Sequence, residues 1–262
     1  MCGIVGLLIK NPALRPRLGH LVVPMLESMT ERGPDSAGLA VFAERDAGRK
    51  FNLFANAHDY AWRALVESLA MAFGPVRDLE IQGRHARLYL DAEPGELKAW
   101  LREQAPGVYL LSAGQRIDIY KDTGRPAAIA ERYGFAGLQG SHAIGHTRMA
   151  TESAITPAHA HPFTAGEDFC LVHNGSLSNP RSLRRSLQRK GIAFETDNDT
   201  EAACRYIEWR MRDGDTLETA LTSGFAVLDG FYTLLIGTGD KLALVRDAFA
   251  CKPALVAETD DY

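Results

Sequence analysis

Apolar residues along the chain fall into runs of two kinds. Residues 2–9 form an almost unbroken apolar stretch headed by Cys2, the pattern of a strand covered on both faces. Over residues 18–32 the spacing turns helical, with Leu21, Met25 and Met29 on one side, and Arg32-Gly33-Pro34 supplies a stop and a turn. Residues 37–42 predict a second strand. Helices are expected over 61–73, where Trp62, Leu65, Val66 and Leu69 share a face, and over 95–104, with Leu97, Trp100 and Leu101. Residues 87–90 predict a strand between them. Strands at 109–112 and 116–121, flanking Gly114, suggest a hairpin.

Further elements follow at short intervals. Residues 143–147 read as a strand running into a polar loop, 148–163. A strand over 168–173 ends in Asn174-Gly175, and Asn179-Pro180 reads as an N-cap with Pro opening a helix over 181–190. Helices are expected at 200–212 and 216–227, and a hairpin from 231–237 and 241–246 across Thr238-Gly239-Asp240. Strands and helices mixed with hairpins predict an α+β fold with antiparallel sheets, not a parallel βαβ wind. Residues 44–141 hold elements of their own and none of the candidate chemistry, so this stretch reads as an insert in a single domain spanning 2–262.

Composition narrows the function classes. The 262 residues are 46% hydrophobic and 24% charged, enough for a sizeable core. A net charge of −4 gives no general attraction to nucleic acid or anionic lipid. The apolar run at 4–9 is far too short to span a bilayer. The four cysteines, at 2, 170, 204 and 251, make no CxxC pair, which argues against a zinc or iron–sulfur site. With no basic-then-apolar leader at the start, a cytoplasmic protein is expected.

Five segments stand out chemically. Cys2, taken alone, is a small buried hydrophobe. Removal of Met1, however, would put a thiol and a free α-amine on one residue, and an amine of pKa about 7.7–8.0 can take the proton of a thiol of about 8.5. Residues 31–38, Glu-Arg-Gly-Pro-Asp-Ser-Ala-Gly, form a rigid turn after a helix. Arg148, at a strand end, is either a solvated charge or a fork for a carboxylate. Asn174-Gly175 is ordinarily a turn signal; an Asn amide and a Gly N–H aimed the same way would instead make an oxyanion hole. The run Thr196-Asp-Asn-Asp-Thr-Glu201 suits a helix N-terminus.

Together these segments resemble the class II glutamine amidotransferase domains, which are N-terminal nucleophile hydrolases. The matching pieces, in order, are Cys2-Gly-Ile-Val-Gly6, Arg32-Gly-Pro-Asp-Ser-Ala-Gly38, Gly145-His-Thr-Arg-Met-Ala-Thr151, His161-Pro-Phe163, Val172-His-Asn-Gly175 and Asp199-Thr-Glu201. Arg246-Asp247 and Lys252-Pro253 are similar to a later Arg-Asp…Pro strand of the family, and the resemblance covers residues 2–257. The insert and the Met-Ala-Thr-Glu-Ser form of the arginine loop look most like stand-alone subunits related to glutamate synthase and N-methylglutamate synthase.

The resemblance implies a four-layer α-β-β-α sandwich of two antiparallel sheets. It implies Cys2 as nucleophile on the glutamine side-chain amide, its own α-amine as proton shuttle, and Asn174 with the Gly175 N–H as oxyanion donors. Arg148 would hold the α-carboxylate and Asp199 the α-ammonium, Asp197 lying one position too early, while Thr151 would add a hydrogen bond. His146, His161 and His173 would orient loops. Neither a metal nor an organic cofactor is required. Without a phosphosugar, ATP or flavin signature, ammonia would pass to a separate synthase subunit in a hetero-oligomer. Family domains continue past the strand expected at 252–257, so this chain either lacks that closure or a partner supplies it. Two other readings stay open, a hydrolase of a different amide and a catalytically silent regulatory subunit; chance motif matches on an ordinary α/β domain are a third.

Overall fold

A computed structural model describes residues 2–149 and 155–262. Its strands build three four-stranded sheets, antiparallel throughout. Numbered in chain order, the first sheet runs β1 (Gly3–Leu8), β8 (His142–Arg148), β2 (Ser36–Phe42), β7 (Ile117–Thr123). The second runs β12 (Leu242–Arg246), β11 (Gly230–Thr238), β10 (Phe169–Leu177), β9 (Phe163–Thr164). The third runs β4 (Arg77–Gln82), β5 (His85–Tyr89), β3 (Lys50–Ala55), β6 (Val108–Gly114).

Alternation along the strands sorts side chains into layers. Val5, Leu7, Leu39 and Val41 turn outward, onto α1 (Leu18–Ser28) and α4 (Pro126–Arg132). Ala40, Phe42 and Ile144 turn inward and meet Cys170, Val172 and Leu235 of the second sheet. Leu171, Leu234 and Ile236 face away, onto α5 (Pro180–Gln188), α6 (Asp199–Arg212) and α7 (Leu217–Gly224). The result is the α-β-β-α order of the N-terminal nucleophile hydrolase fold. β2 is buried on both faces, which is why it reads as a continuous apolar run rather than an alternating one.

Residues 44–141 divide in space. The third sheet packs one face on α2 (Trp62–Phe73) and α3 (Pro94–Gln104), whereas β7 and α4 belong to the first sheet and its cover. The two parts are joined by the buried Lys50–Asp118 pair at 2.7 Å and by Arg84 on the fully buried Asp122, which also accepts from Tyr133 Oη at 2.6 Å.

Several expectations need correction. β6 and β7 do not form a hairpin but enter different sheets. The carboxylate of Asp168 accepts from the N–H groups of Gln115, Arg116 and Ile117 at 3.0, 2.8 and 3.0 Å, and turns the chain from one sheet into the other. Asn174-Gly175 is not a turn: β11 pairs with β10 as far as Leu177. Asn179 makes no cap bond, because its amide spans to Val227 O and Asp229 N. No strand forms at 252–257, where Leu255 and Val256 are exposed and Pro253 lacks an N–H to donate. The segment returns instead to the first sheet, where Asp261 O accepts from the N–H groups of Lys10 and Asn11. Among the described residues no helix is long and apolar enough to cross a membrane.

Candidate active site

Strand register and parity bring the candidate residues together. Gly3 pairs with Thr147, which sets Cys2 opposite Arg148 across β1 and β8. Both are on the inward face, as are Ile144 and His146 on β8. On β10 the inward residues Cys170 and Val172 lead in steps of two to Asn174, so Asn174 projects into the same space between the sheets. Arg148 and Asn174 are buried and Cys2 half-buried. The Arg32 Nε–H donates to Cys2 O at 3.3 Å, anchoring the Arg-Gly-Pro turn beside Cys2.

Gly38 and Gly175 are required by close approach. A Cβ at Gly38 would lie 2.1 Å from His161 O. Gly175 has φ +149°, and a Cβ there would lie 2.0 Å from Phe231 O.

Burial pushes the Cys2 thiol up. A hydrogen bond from the Met149 backbone N–H, the chain's N-terminal charge and Arg148 oppose this, while Asp199 adds to it. At rest the Cys2 side chain is therefore a thiol, and it needs a base to act as a nucleophile. Buried imidazoles are poor candidates. Burial lowers His146 to about 3 and His161 well below its ordinary value, so both are neutral.

Asp199 opens α6, whose N-cap Asn198 accepts from Thr200 N at 2.8 Å. Burial would raise the Asp199 carboxyl, but bonds from His173, from Leu177 N (3.0 Å) and from Thr200 N hold it below the usual carboxylate range. Asp197 instead is exposed and paired with His159 at 3.1 Å, which separates the two acids that the sequence places side by side. Glu201 is structural: it accepts from the N–H groups of Glu195 and Thr196 and from the Thr196 hydroxyl. Thr151 lies outside the described residues.

Two supporting residues escaped the sequence reading. Lys121 is buried under the loop before β9, donating to Ala160 O at 2.8 Å and Pro162 O at 3.2 Å, and burial lowers it to about 8. Its only signal was a lysine inside an apolar strand. Thr200, read merely as part of a cap, bonds two imidazoles. No group of three or more His, Cys, Asp or Glu side chains among the described residues is placed to hold a metal.

Comparison with known proteins places the chain in a family. A family model described as a glutamine amidotransferase domain matches residues 146–262. The chain is 47% identical over 264 residues to the glutamine amidotransferase-like protein GlxB of Rhizobium meliloti, covering all of this chain and 87% of that one. It is 30% identical over 282 residues to a putative glutamine amidotransferase of Methanothermobacter thermautotrophicus, covering 100% and 89%. A glutamine–fructose-6-phosphate aminotransferase of Thermococcus kodakarensis is 35% identical over 138 residues, covering 51% of this chain and 23% of its own. Among solved structures, the allosteric regulatory enzyme of purine biosynthesis shares the fold, with a TM-score of 0.53 at 19% identity over 94% of this chain and 37% of that one. The fold is that of an N-terminal nucleophile hydrolase. Within that class, the chain belongs to the class II glutamine amidotransferases, whose domains hydrolyse the side-chain amide of glutamine.

Proposed function

We propose that this chain performs the glutaminase half-reaction through Cys2 and hands ammonia to a separate synthase subunit. The observation that carries the reading is the convergence of Cys2, Arg148 and Asn174 on one inter-sheet space, with Asp199 close enough to act on the Cys2 thiol. A zwitterionic amino acid needs one cation and one anion to hold its backbone, and Arg148 and Asp199 are that pair. Once Met1 is removed, the Cys2 α-amine takes the thiol proton as Sγ attacks the amide carbon. Asn174 and the Gly175 N–H receive the negative charge that develops on oxygen. The amine then protonates the leaving nitrogen, ammonia departs, and water hydrolyses the γ-glutamyl thioester to glutamate. No step uses a metal or an organic cofactor.

Relatives support a division of labour. The matched region is 23% of the fructose-6-phosphate aminotransferase and 37% of the purine enzyme, so in those proteins it is one part of a larger chain. The Met149-Ala-Thr-Glu-Ser sequence and the insert at 44–141 favour an acceptor subunit of the glutamate synthase or N-methylglutamate synthase type, working in the cytoplasm. The test is mass spectrometry after treatment with a diazoketone analogue of glutamine, with candidate synthase chains present and absent. Labelling of Cys2 on a chain lacking Met1, blocked by glutamine, is the expected result. Labelling elsewhere, or none under either condition, would overturn the reading.

A further inference from the structure

Beneath the candidate site lies a closed ring of hydrogen-bond and stacking contacts that the chemistry above does not use. Thr200 is buried on the first turn of α6, and its hydroxyl lies 2.9 Å from His161 Nε2 and 3.1 Å from His173 Nδ1. His161 stacks on His146 with ring centroids 4.0 Å apart, and His146 Nε2 lies 3.1 Å from His173 O. The ring therefore passes from His173 through Thr200, His161 and His146 back to the His173 backbone. Four segments meet in it: β8, which delivers Arg148; the loop before β9; β10, which delivers Asn174 and Gly175; and α6, which begins with Asp199.

Proton positions follow from the partners. A carbonyl only accepts, so His146 carries its proton on Nε2 and donates to His173 O. Asp199 Oδ1 lies 3.6 Å from His173 Nδ1, and an anion there places the His173 proton on Nδ1. The Thr200 oxygen accepts from that N–H and gives its own proton to His161 Nε2, at 2.9 Å, in preference to Asp199 Oδ1, at 3.4 Å, leaving His161 protonated on Nδ1. A hydroxyl is the one small group that accepts from one imidazole and donates to the other. The bond to His173 O grips the peptide that carries the Asn174 N–H, while His173 Nδ1 faces the carboxylate proposed to bind the substrate ammonium.

We propose that Thr200 is a positioning residue, whose hydroxyl holds the Asp199 carboxylate and the Asn174–Gly175 oxyanion donors in register with each other. The inference rests on the glutaminase reading of the site, and one of its tests does not. Imidazole nitrogen NMR of the full chain reads the ring without substrate. Protonated Nδ1 at His173 and His161 and protonated Nε2 at His146 are expected, and any other pattern overturns the ring. The second test compares Thr200→Val and Thr200→Ser in glutamate release from glutamine and in hydrolysis of its desamino analogue. Thr200→Val should lose about 10²-fold in kcat/KM for glutamine, the scale of a 1 Å misplacement. Its loss on the analogue should be smaller, because that substrate makes no use of Asp199, so discrimination between the two narrows. Thr200→Ser should restore both. A folded Thr200→Val with unchanged rate and discrimination would overturn the proposal, as would a Thr200→Ser as impaired as Thr200→Val. A wild-type chain that is inert to glutamine with its partner present overturns the glutaminase reading instead, and the NMR pattern still decides the ring.

Discussion

Replacing Gly175 by alanine tests the proposed oxyanion hole most directly, because the structure states what the added carbon meets. Its Cβ would lie 2.0 Å from Phe231 O and 2.7 Å from Tyr232 Cα, both backbone atoms of the paired strand, where real Cβ contacts essentially never fall below 3.0 Å. β10 and β11 must part by about 1 Å at this register position, and the Gly175 N–H moves with them. A displacement of that size costs about 10²-fold, and loss of one oxyanion donor costs ~10²–10³-fold. Alanine at φ +149° adds about 1–3 kcal/mol of backbone strain. Gly191 is the matched control: its φ is +82°, but nothing lies within 4 Å of an added Cβ, so Gly191→Ala carries strain without a clash. Rates of diazoketone labelling at Cys2, with melting temperatures measured in parallel, separate the two effects. Gly175→Ala is expected to label at least 10²-fold more slowly and Gly191→Ala at the wild-type rate. A Gly175→Ala chain that labels within threefold of wild type would refute the assignment of its N–H as a donor.

Other outcomes follow from the same structure. Asn174→Ala should lower kcat by ~10²–10³ with little change in KM, since it removes a bond made mainly in the transition state; a KM effect alone would reassign Asn174 to ground-state binding. Burial lowers His85 to about 3, His142 to about 4 and His146 to about 3, whereas the unfolded chain takes up these protons near pH 6.5. The contribution of these three is therefore constant above pH 7 and falls as pH drops through 6.5, by roughly 4 kcal/mol per pH unit for the three together, with His161, also lowered by burial, acting in the same direction. Denaturant midpoints at pH 7, 6 and 5 read this directly, and equal midpoints would contradict it. Asp118→Ala strands the buried Lys50 ammonium against only the partly exposed Asp46 at 3.5 Å, at a cost of about 3–5 kcal/mol in urea unfolding. Replacing both Lys50 and Asp118 by apolar residues of similar size should recover most of that loss, and failure to recover would show that the pair adds more than its own desolvation cost.

Hydrophobic patterning carried the helices buried on one face and the strands covered by layers above and below. α1, α2, α3, β1 and β2 all lie within a few residues of where the pattern puts them, because a helix buried on one side writes its period into the sequence and a strand covered on both faces leaves an apolar run. β4 left no such mark, being an exposed edge strand of mostly polar residues, and β3 was obscured by Lys50 and Asn52, whose polar groups find partners only in the folded chain. The hairpin expected around Gly114 failed for a related reason: Asp168, more than fifty residues downstream, turns that corner. Local propensity holds no information about a distant carboxylate.

The chemistry divides along the same line. Residue types and their order along the chain were enough to bring out the family resemblance, and it is that resemblance which singles out Cys2, Arg148, Asn174, Gly175 and Asp199. Tertiary structure alone decided that Asn174-Gly175 continues a strand, so that the amide points between the sheets instead of into a turn. It alone separated half-buried Asp199 from exposed Asp197, and set Lys121 and Thr200 beneath the site. Identity and order are properties of the chain; which face a side chain shows, and what it touches, follow from strand register and from contacts between residues far apart in sequence, and these exist only once the two sheets have packed.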